Sequence, residues 1–280
     1  MCEVLLDGPM GTELERRGLR LAAPDWSARA LDAVPELVAA IHRDYASAGA
    51  TLHTATTFRT QRRAVGPRWE ELARRAVRIA RRAGFGRVAG SIAPLEDCYR
   101  PDLSPGTAAR AEHSELARVL SDEGVDVILC ETFASPIEAA VAVEAAAATG
   151  VETWVSLTAG PDANLLTPEA MQAAARACVS AGARAVLVGC TRAARTAPFV
   201  DAIAEVGPTV GAYANAGDPS DGTGWSTEPV AAAARYAELA ADWMDRGATI
   251  VGGCCGTRPE HVARLRELLS SRGGRRSDRS

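Results

Sequence analysis

The chain contains no lysine: all 31 of its basic side chains are arginine. That excludes Schiff-base catalysis and any phosphate loop that depends on a lysine. No Gly-x-Gly-x-x-Gly follows the first strand-like run, which argues against a dinucleotide fold. The usual Cys-x-x-Cys metal spacing is also missing. Apolar runs fall well short of a membrane span, and Met1 to Asp7 carries no basic leader-like region, so the expectation is a cytoplasmic protein with no membrane partner. The formal net charge of −4, with arginines scattered along helices, argues against nucleic acid. An odd cysteine count of 7 without a secretion signal favours reduced thiols.

What is present is a repeated junction. An Ala/Arg/Glu-rich amphipathic segment ends on glycine, and a short Val/Ile/Leu/Thr run follows. Gly49, Gly84, Gly124, Gly150, Gly182, Gly207 and Gly247 hold that position, where glycine serves as a left-handed helix cap. With the opening strand the pattern predicts eight strands: Val4–Asp7, Thr51–Thr54, Arg87–Ser91, Val125–Cys130, Thr153–Leu157, Ala185–Val188, Thr209–Tyr213 and Thr249–Gly252. Helices are predicted to begin near Pro35, Trp69, Thr107, Ser135, Thr167, Ala194, Thr227 and Arg258. Eight strand–helix units in 280 residues fit a single α/β domain, a (β/α)8 TIM barrel over residues 1–269; an open doubly wound sheet is the second choice. Residues 270–280, rich in Gly, Ser and Arg, read as a disordered tail.

Three cysteines stand at predicted strand ends. Cys190 closes Ala185 to Gly189, and Cys254 and Cys255 follow Thr249 to Gly253, so all three belong at one end of a parallel sheet. Neighbouring side chains on a regular strand point to opposite faces, so vicinal thiols converge only where the strand has ended. Three thiolates at one point suggest zinc in the catalytic arrangement, with three protein ligands and one open position. A Cys254–Cys255 disulfide, a redox pair or plain buried cysteines are the alternatives. In a barrel, chemistry gathers beyond the C-terminal strand ends. The polar residues there are Asp7, Thr12, Thr57, Glu131, Thr132, Ser156, Tyr213 and Asn215. A carboxylate can pair with a substrate ammonium, and backbone amides of the turn from Asp7 to Thr12 can hold a carboxylate, which describes an amino-acid site beside a metal.

Leu6-Asp7-Gly8-Pro9-Met10-Gly11-Thr12, Glu131-Thr132, Cys190, Tyr213-Ala214-Asn215 and Gly252-Gly253-Cys254-Cys255-Gly256-Thr257 together resemble the zinc-dependent homocysteine S-methyltransferase family, from Leu5 to about Leu269. Pro24-Asp25-Trp26-Ser27-Ala28 with Pro35-Glu36-Leu37-Val38 is similar to stand-alone members that use sulfonium donors. The resemblance implies Zn2+ on Cys190, Cys254 and Cys255, and methyl transfer to homocysteine, giving methionine. It implies that Asp7 and Glu131 bind the amino group, that Thr57 and the backbone from Gly8 support the carboxylate, and that Asn215 lies close to the metal. Small-molecule substrates are the implied partners. Where relatives commonly have asparagine before the first zinc cysteine, this chain has Gly189, and Thr54 and Arg59 also depart from the usual motif; another thiol or selenol is therefore an alternative acceptor. No cobalamin or folate module accompanies the barrel, which leaves S-methylmethionine, S-adenosylmethionine or a betaine-like donor. Trp26, Phe58, Tyr99 and Trp225 are candidates to surround the donor cation. A zinc-storing or redox-sensing barrel without turnover is the reading from another class. Cys2, Cys98, Cys130 and Cys178 are assigned to terminus, loop or core. His42, His53, His113 and His261 are placed away from the mouth, with His53 able to face the barrel interior.

Overall fold

A computed structural model describes residues 4–83, 86–225 and 228–277. Eight parallel strands form one sheet: β1 (Val4–Leu5), β2 (Leu52–Thr54), β3 (Arg87–Ile92), β4 (Val127–Phe133), β5 (Thr153–Leu157), β6 (Ala185–Arg192), β7 (Thr209–Asn215) and β8 (Ile250–Val251). Their order is β1-β8-β7-β6-β5-β4-β3-β2, and a bridge between Leu6 and Leu52 closes the ring. This is the expected (β/α)8 barrel.

The covering helices are α1 (Pro35–Ala48), α2 (Trp69–Ala83), α3 (Arg110–Asp122), α4 (Pro136–Ala147), α5 (Pro168–Ser180), α6 (Ala197–Ala204), α7 (Pro229–Asp245) and α8 (Pro259–Ser277). Ser135 and Thr167 cap α4 and α5 by accepting backbone N–H bonds from Glu138 and Ala170, as short hydroxyl side chains do at helix starts. The junction glycines Gly49, Gly124, Gly150, Gly182, Gly207 and Gly247 all have φ between 70° and 117°. A side chain there would strain the turn from helix to strand. Gly84, Cys2, Thr227 and residues 278–280 lie outside the described residues. Beyond residue 270 α8 continues to Ser277, and Arg272 donates to Asp245 and to the Ala241 carbonyl.

Strand alternation divides the core. Leu6, Leu52, Ala89, Val127, Leu129, Ala185, Leu187 and Ile250 fill the barrel interior, while Val88, Ile128, Cys130, Val186, Val188 and Val251 face the helices. A side chain on a strand keeps this parity unless the strand is bulged. β4 shifts register between Cys130 and Phe133, and β6 between Gly189 and Arg192. These irregularities also extend both strands beyond their predicted ends. Among the described residues no helix is long and apolar enough to cross a membrane.

Candidate active site and metal centre

The two bulges aim the site. By parity Thr132 and Cys190 belong with the outward-facing residues, but each has a left-handed backbone, φ 64° and 46°, and each lines the cavity instead. For a residue with a Cβ this conformation costs about 1–3 kcal/mol and persists where the surroundings enforce it. Around Cys190 the enforcement is visible: the Asn215 amide donates to the Cys190 carbonyl at 2.8 Å and accepts from Gly217 N at 2.7 Å.

Cys190 and Cys254 are joined as a disulfide, Cα atoms 5.5 Å apart, and Cys255 Sγ lies 3.6 Å from Cys190 Sγ. The vicinal Cys254–Cys255 pairing is not formed; Cys255 carries a free thiol. All three sulfurs lie within 4.8 Å of one another. Three thiolates held tetrahedrally by one zinc ion would be about 3.8 Å apart, so the donor set fits the metal once the disulfide is reduced. Burial pushes the Cys255 thiol up to about 11, so a cation is needed for it to ionise at neutral pH.

The sulfurs sit in a cavity of about 680 Å³, large enough for two amino-acid-sized molecules. Asp7, buried, and Glu131, partly exposed to the cavity, are carboxylates on its wall. Burial raises Asp7 to about 8, although Thr54 N donates to its Oδ2 at 2.9 Å. Burial also raises Glu131, which accepts a short hydrogen bond from Ser91 Oγ and one from Tyr213 Oη at 3.3 Å. Asp7 therefore favours the protonated form at neutral pH until a cationic partner arrives, and Glu131 is held above the usual carboxylate range.

Gly8 joins them on the wall. A Cβ at Gly8 would stand 2.6 Å from the Tyr45 ring, and at Gly11 2.3 Å from Trp26. Gly189 is equally constrained: a Cβ would meet Ser156 Oγ at 2.0 Å and Tyr213 Cζ at 2.8 Å. The space that a side chain at position 189 would take is filled by Ser156 and Tyr213.

Cys190, Cys254, Cys255, Asp7, Gly8 and Glu131 are thus brought to one cavity, and two expected residues are not. Thr57 is buried outside it, donating to the Ser91 carbonyl and accepting from Ser91 N, each at 2.8 Å; its hydroxyl is spent tying the loop after β2 to β3. Asn215 is likewise spent on backbone and does not line the cavity. Trp26, Phe58 and Tyr99 do line it, whereas Trp225 does not.

His53 faces α1 rather than the barrel interior, its ring edge-on to His42 at 6.3 Å. His42 lies nearer the mouth than expected, with Nδ1 4.0 Å from Asp7 Oδ2. Cys98 is a loop residue as expected, but the loop lines the cavity. Ser91 was not singled out from the sequence. Its inward parity two residues after Ala89 on β3 was the available signal.

The family model described as homocysteine S-methyltransferase matches residues 4–269. The homocysteine S-methyltransferase of Escherichia coli strain K12 is 32% identical, over 94% of this chain and 94% of its own. The selenocysteine Se-methyltransferase of Brassica oleracea var. italica is 25% identical, over 96% and 89%. Among solved structures, the metallated form of the E. coli homocysteine methyltransferase MmuM superposes with TM-score 0.79 at 26% identity, covering 96% of both chains. Its oxidized form does so with TM-score 0.80 at 25% identity and the same coverage.

Proposed function

The chain belongs to the homocysteine S-methyltransferase family, and from that premise we propose that it moves a methyl group from a sulfonium donor, S-methylmethionine or S-adenosylmethionine, to homocysteine in a zinc-dependent reaction. The observation that carries the reading is the meeting of three sulfurs with the Asp7 and Glu131 carboxylates in one cavity. Cys190, Cys254 and Cys255 would hold the metal. When bound, zinc supplies a Lewis acid that ionises the acceptor thiol, whose ordinary pKa near 8.5 leaves it mostly protonated.

The protein's own groups do the positioning. Asp7 and Glu131, both disfavoured as anions by burial, gain a counter-charge from the homocysteine ammonium, and Asp7 releases its proton as it binds. Ser91 and Tyr213 fix the Glu131 carboxylate in place. Gly8 allows the acceptor carboxylate close to backbone. Trp26 packs edge-on against Phe58 at 5.9 Å, and with Tyr99 these rings give the donor cation an aromatic wall that excludes water. The reaction is an in-line displacement: the acceptor sulfur forms a bond to the methyl carbon as the donor carbon–sulfur bond breaks, and the sulfonium leaves as a neutral thioether.

A Cys190–Cys254 disulfide and a three-thiolate metal site use the same atoms, so activity requires reductant. The test is a donor panel assayed for methionine formation from homocysteine by the zinc-loaded, reduced protein. Turnover is expected with S-methylmethionine, less with S-adenosylmethionine and little with betaine. Betaine as the best donor would overturn the donor assignment. A protein that stays metal-free in reductant and transfers no methyl group would instead favour redox sensing. The similarity to a selenocysteine methyltransferase and the exchange of asparagine for Gly189 favour adding selenocysteine to the acceptors assayed.

A further inference from the structure

Two arginines, Arg59 and Arg63, stand on the cavity wall. Arg63 is neutralised by Glu96 and Glu112. Arg59 has no carboxylate within ion-pair distance among the described residues. Its Nη1 donates to the backbone carbonyls of Glu96 at 3.0 Å and Pro94 at 3.4 Å, while Nε and Nη2 meet no acceptor there. The guanidinium lies 5.2 Å from the centre of the Phe58 ring, on the aromatic wall just described. Its charge acts in the same neighbourhood as the sulfurs: the Cys98 thiol feels both Arg59 and Cys255.

An uncompensated guanidinium is a poor neighbour for a positive sulfonium, because like charges in a partly desolvated cavity repel. It becomes a good neighbour when the same molecule carries an anion for it. We propose that Arg59 receives a carboxylate of the methyl donor, so that the cavity selects sulfonium compounds bearing a carboxylate over simple alkyl sulfoniums. This rests on the sulfonium-to-thiol reading above.

The acceptor's carboxylate shares one carbon with its ammonium and therefore stays with Asp7, Glu131 and the Gly8 backbone. Arg59 instead stands on the loop after β2, braced on the loop after β3. The two free donor positions of its planar fork match a carboxylate, and a charge-assisted bond of this kind contributes about 1.5–3 kcal/mol, or about 10- to 100-fold in binding.

The experiment compares wild type, Arg59→Gln and Arg59→Lys as zinc-loaded, reduced enzymes. It measures kcat/KM for S-methylmethionine and for trimethylsulfonium at fixed homocysteine, the KM for homocysteine, and the calorimetric Kd for S-methylmethionine. Arg59→Gln is expected to lower kcat/KM for S-methylmethionine by a factor about tenfold or more beyond any loss with trimethylsulfonium. Arg59→Lys, which keeps the charge without the fork, should recover part of it.

Equal losses with both donors would assign Arg59 to bracing the loop from Pro94 to Glu96 and overturn the proposal. So would a rise in KM confined to homocysteine. If Arg59→Gln does not fold, a lysine variant as good as wild type with S-methylmethionine but worse with trimethylsulfonium overturns it. If wild type transfers no methyl group, the functional reading falls, but a tenfold weaker Kd in the variant still supports the carboxylate contact. An unchanged Kd sinks it.

Discussion

Cys190, Cys254 and Cys255 place their ligand atoms within 4.8 Å of one another, and so do Asp7, His42 and His53. Distance alone makes the clusters equivalent, but their surroundings do not. The sulfurs come from the ends of β6 and β8 and open onto the cavity, so a fourth ligand can reach them. The imidazoles come from α1 and β2, are fully buried and do not line the cavity. Burial lowers both histidines, His42 to about 3, while it raises Asp7 to about 8. A neutral acid facing neutral bases results, with one Asp7 oxygen already held by Thr54 N. The first cluster can exchange ligands with solution; the second backs the Asp7 carboxylate on the cavity wall.

The comparison breaks most visibly if metal goes to the wrong cluster. Replacing Cys190, Cys254 or Cys255 by alanine is expected to take zinc from one per chain to under about 0.1 and methyl transfer down by more than about 10³-fold, with the fold intact by circular dichroism. His53→Ala should retain its zinc by elemental analysis. Zinc lost from that variant and kept in Cys190→Ala would reverse the assignment.

Next in size is the carboxylate end. Glu131→Gln should reduce kcat/KM for homocysteine about 100-fold, chiefly through KM, because it removes a charge opposite the ammonium in the proposed site. A change confined to the donor KM would put Glu131 on the wrong substrate.

The smallest effect concerns the imidazoles, through the pH dependence of stability. His42 titrates near 3 in the folded chain and near 6.5 unfolded, so acid protonates the unfolded state first. Its contribution is full above 6.5 and is lost as pH falls towards 3. Between pH 6.5 and 5 this should cost wild type about 2 kcal/mol relative to His42→Gln in urea unfolding of the metal-free protein. Parallel stability curves for the two proteins would mean that His42 is not held neutral.

The barrel was legible because its signals are local: a helix end, a glycine that must turn left-handed, a β-branched run. The convergence of Cys254 and Cys255 was legible too, since vicinal thiols must leave a strand to share a point. The path by which Cys190 reaches them was not. Its parity is outward, and a left-handed cysteine in a bulge has no composition signature. Thr57 and Asn215 share residue type and strand-end position with true cavity residues, and what separates them is which backbone groups lay within hydrogen-bond reach. Arg59 was seen only as a departure from a motif. Its significance depends on Arg63 being neutralised by Glu112, a residue far away in sequence.

Asp7 also sits where the ring closes. Its N–H donates to Leu52 and its side chain accepts from Thr54, both on β2, while its carbonyl accepts from Gly253 just past β8. The proposed acceptor site is therefore assembled from both ends of the chain: until β8 docks on β1, Asp7 lacks the Gly253 amide, and the cavity lacks Cys254 and Cys255 as well.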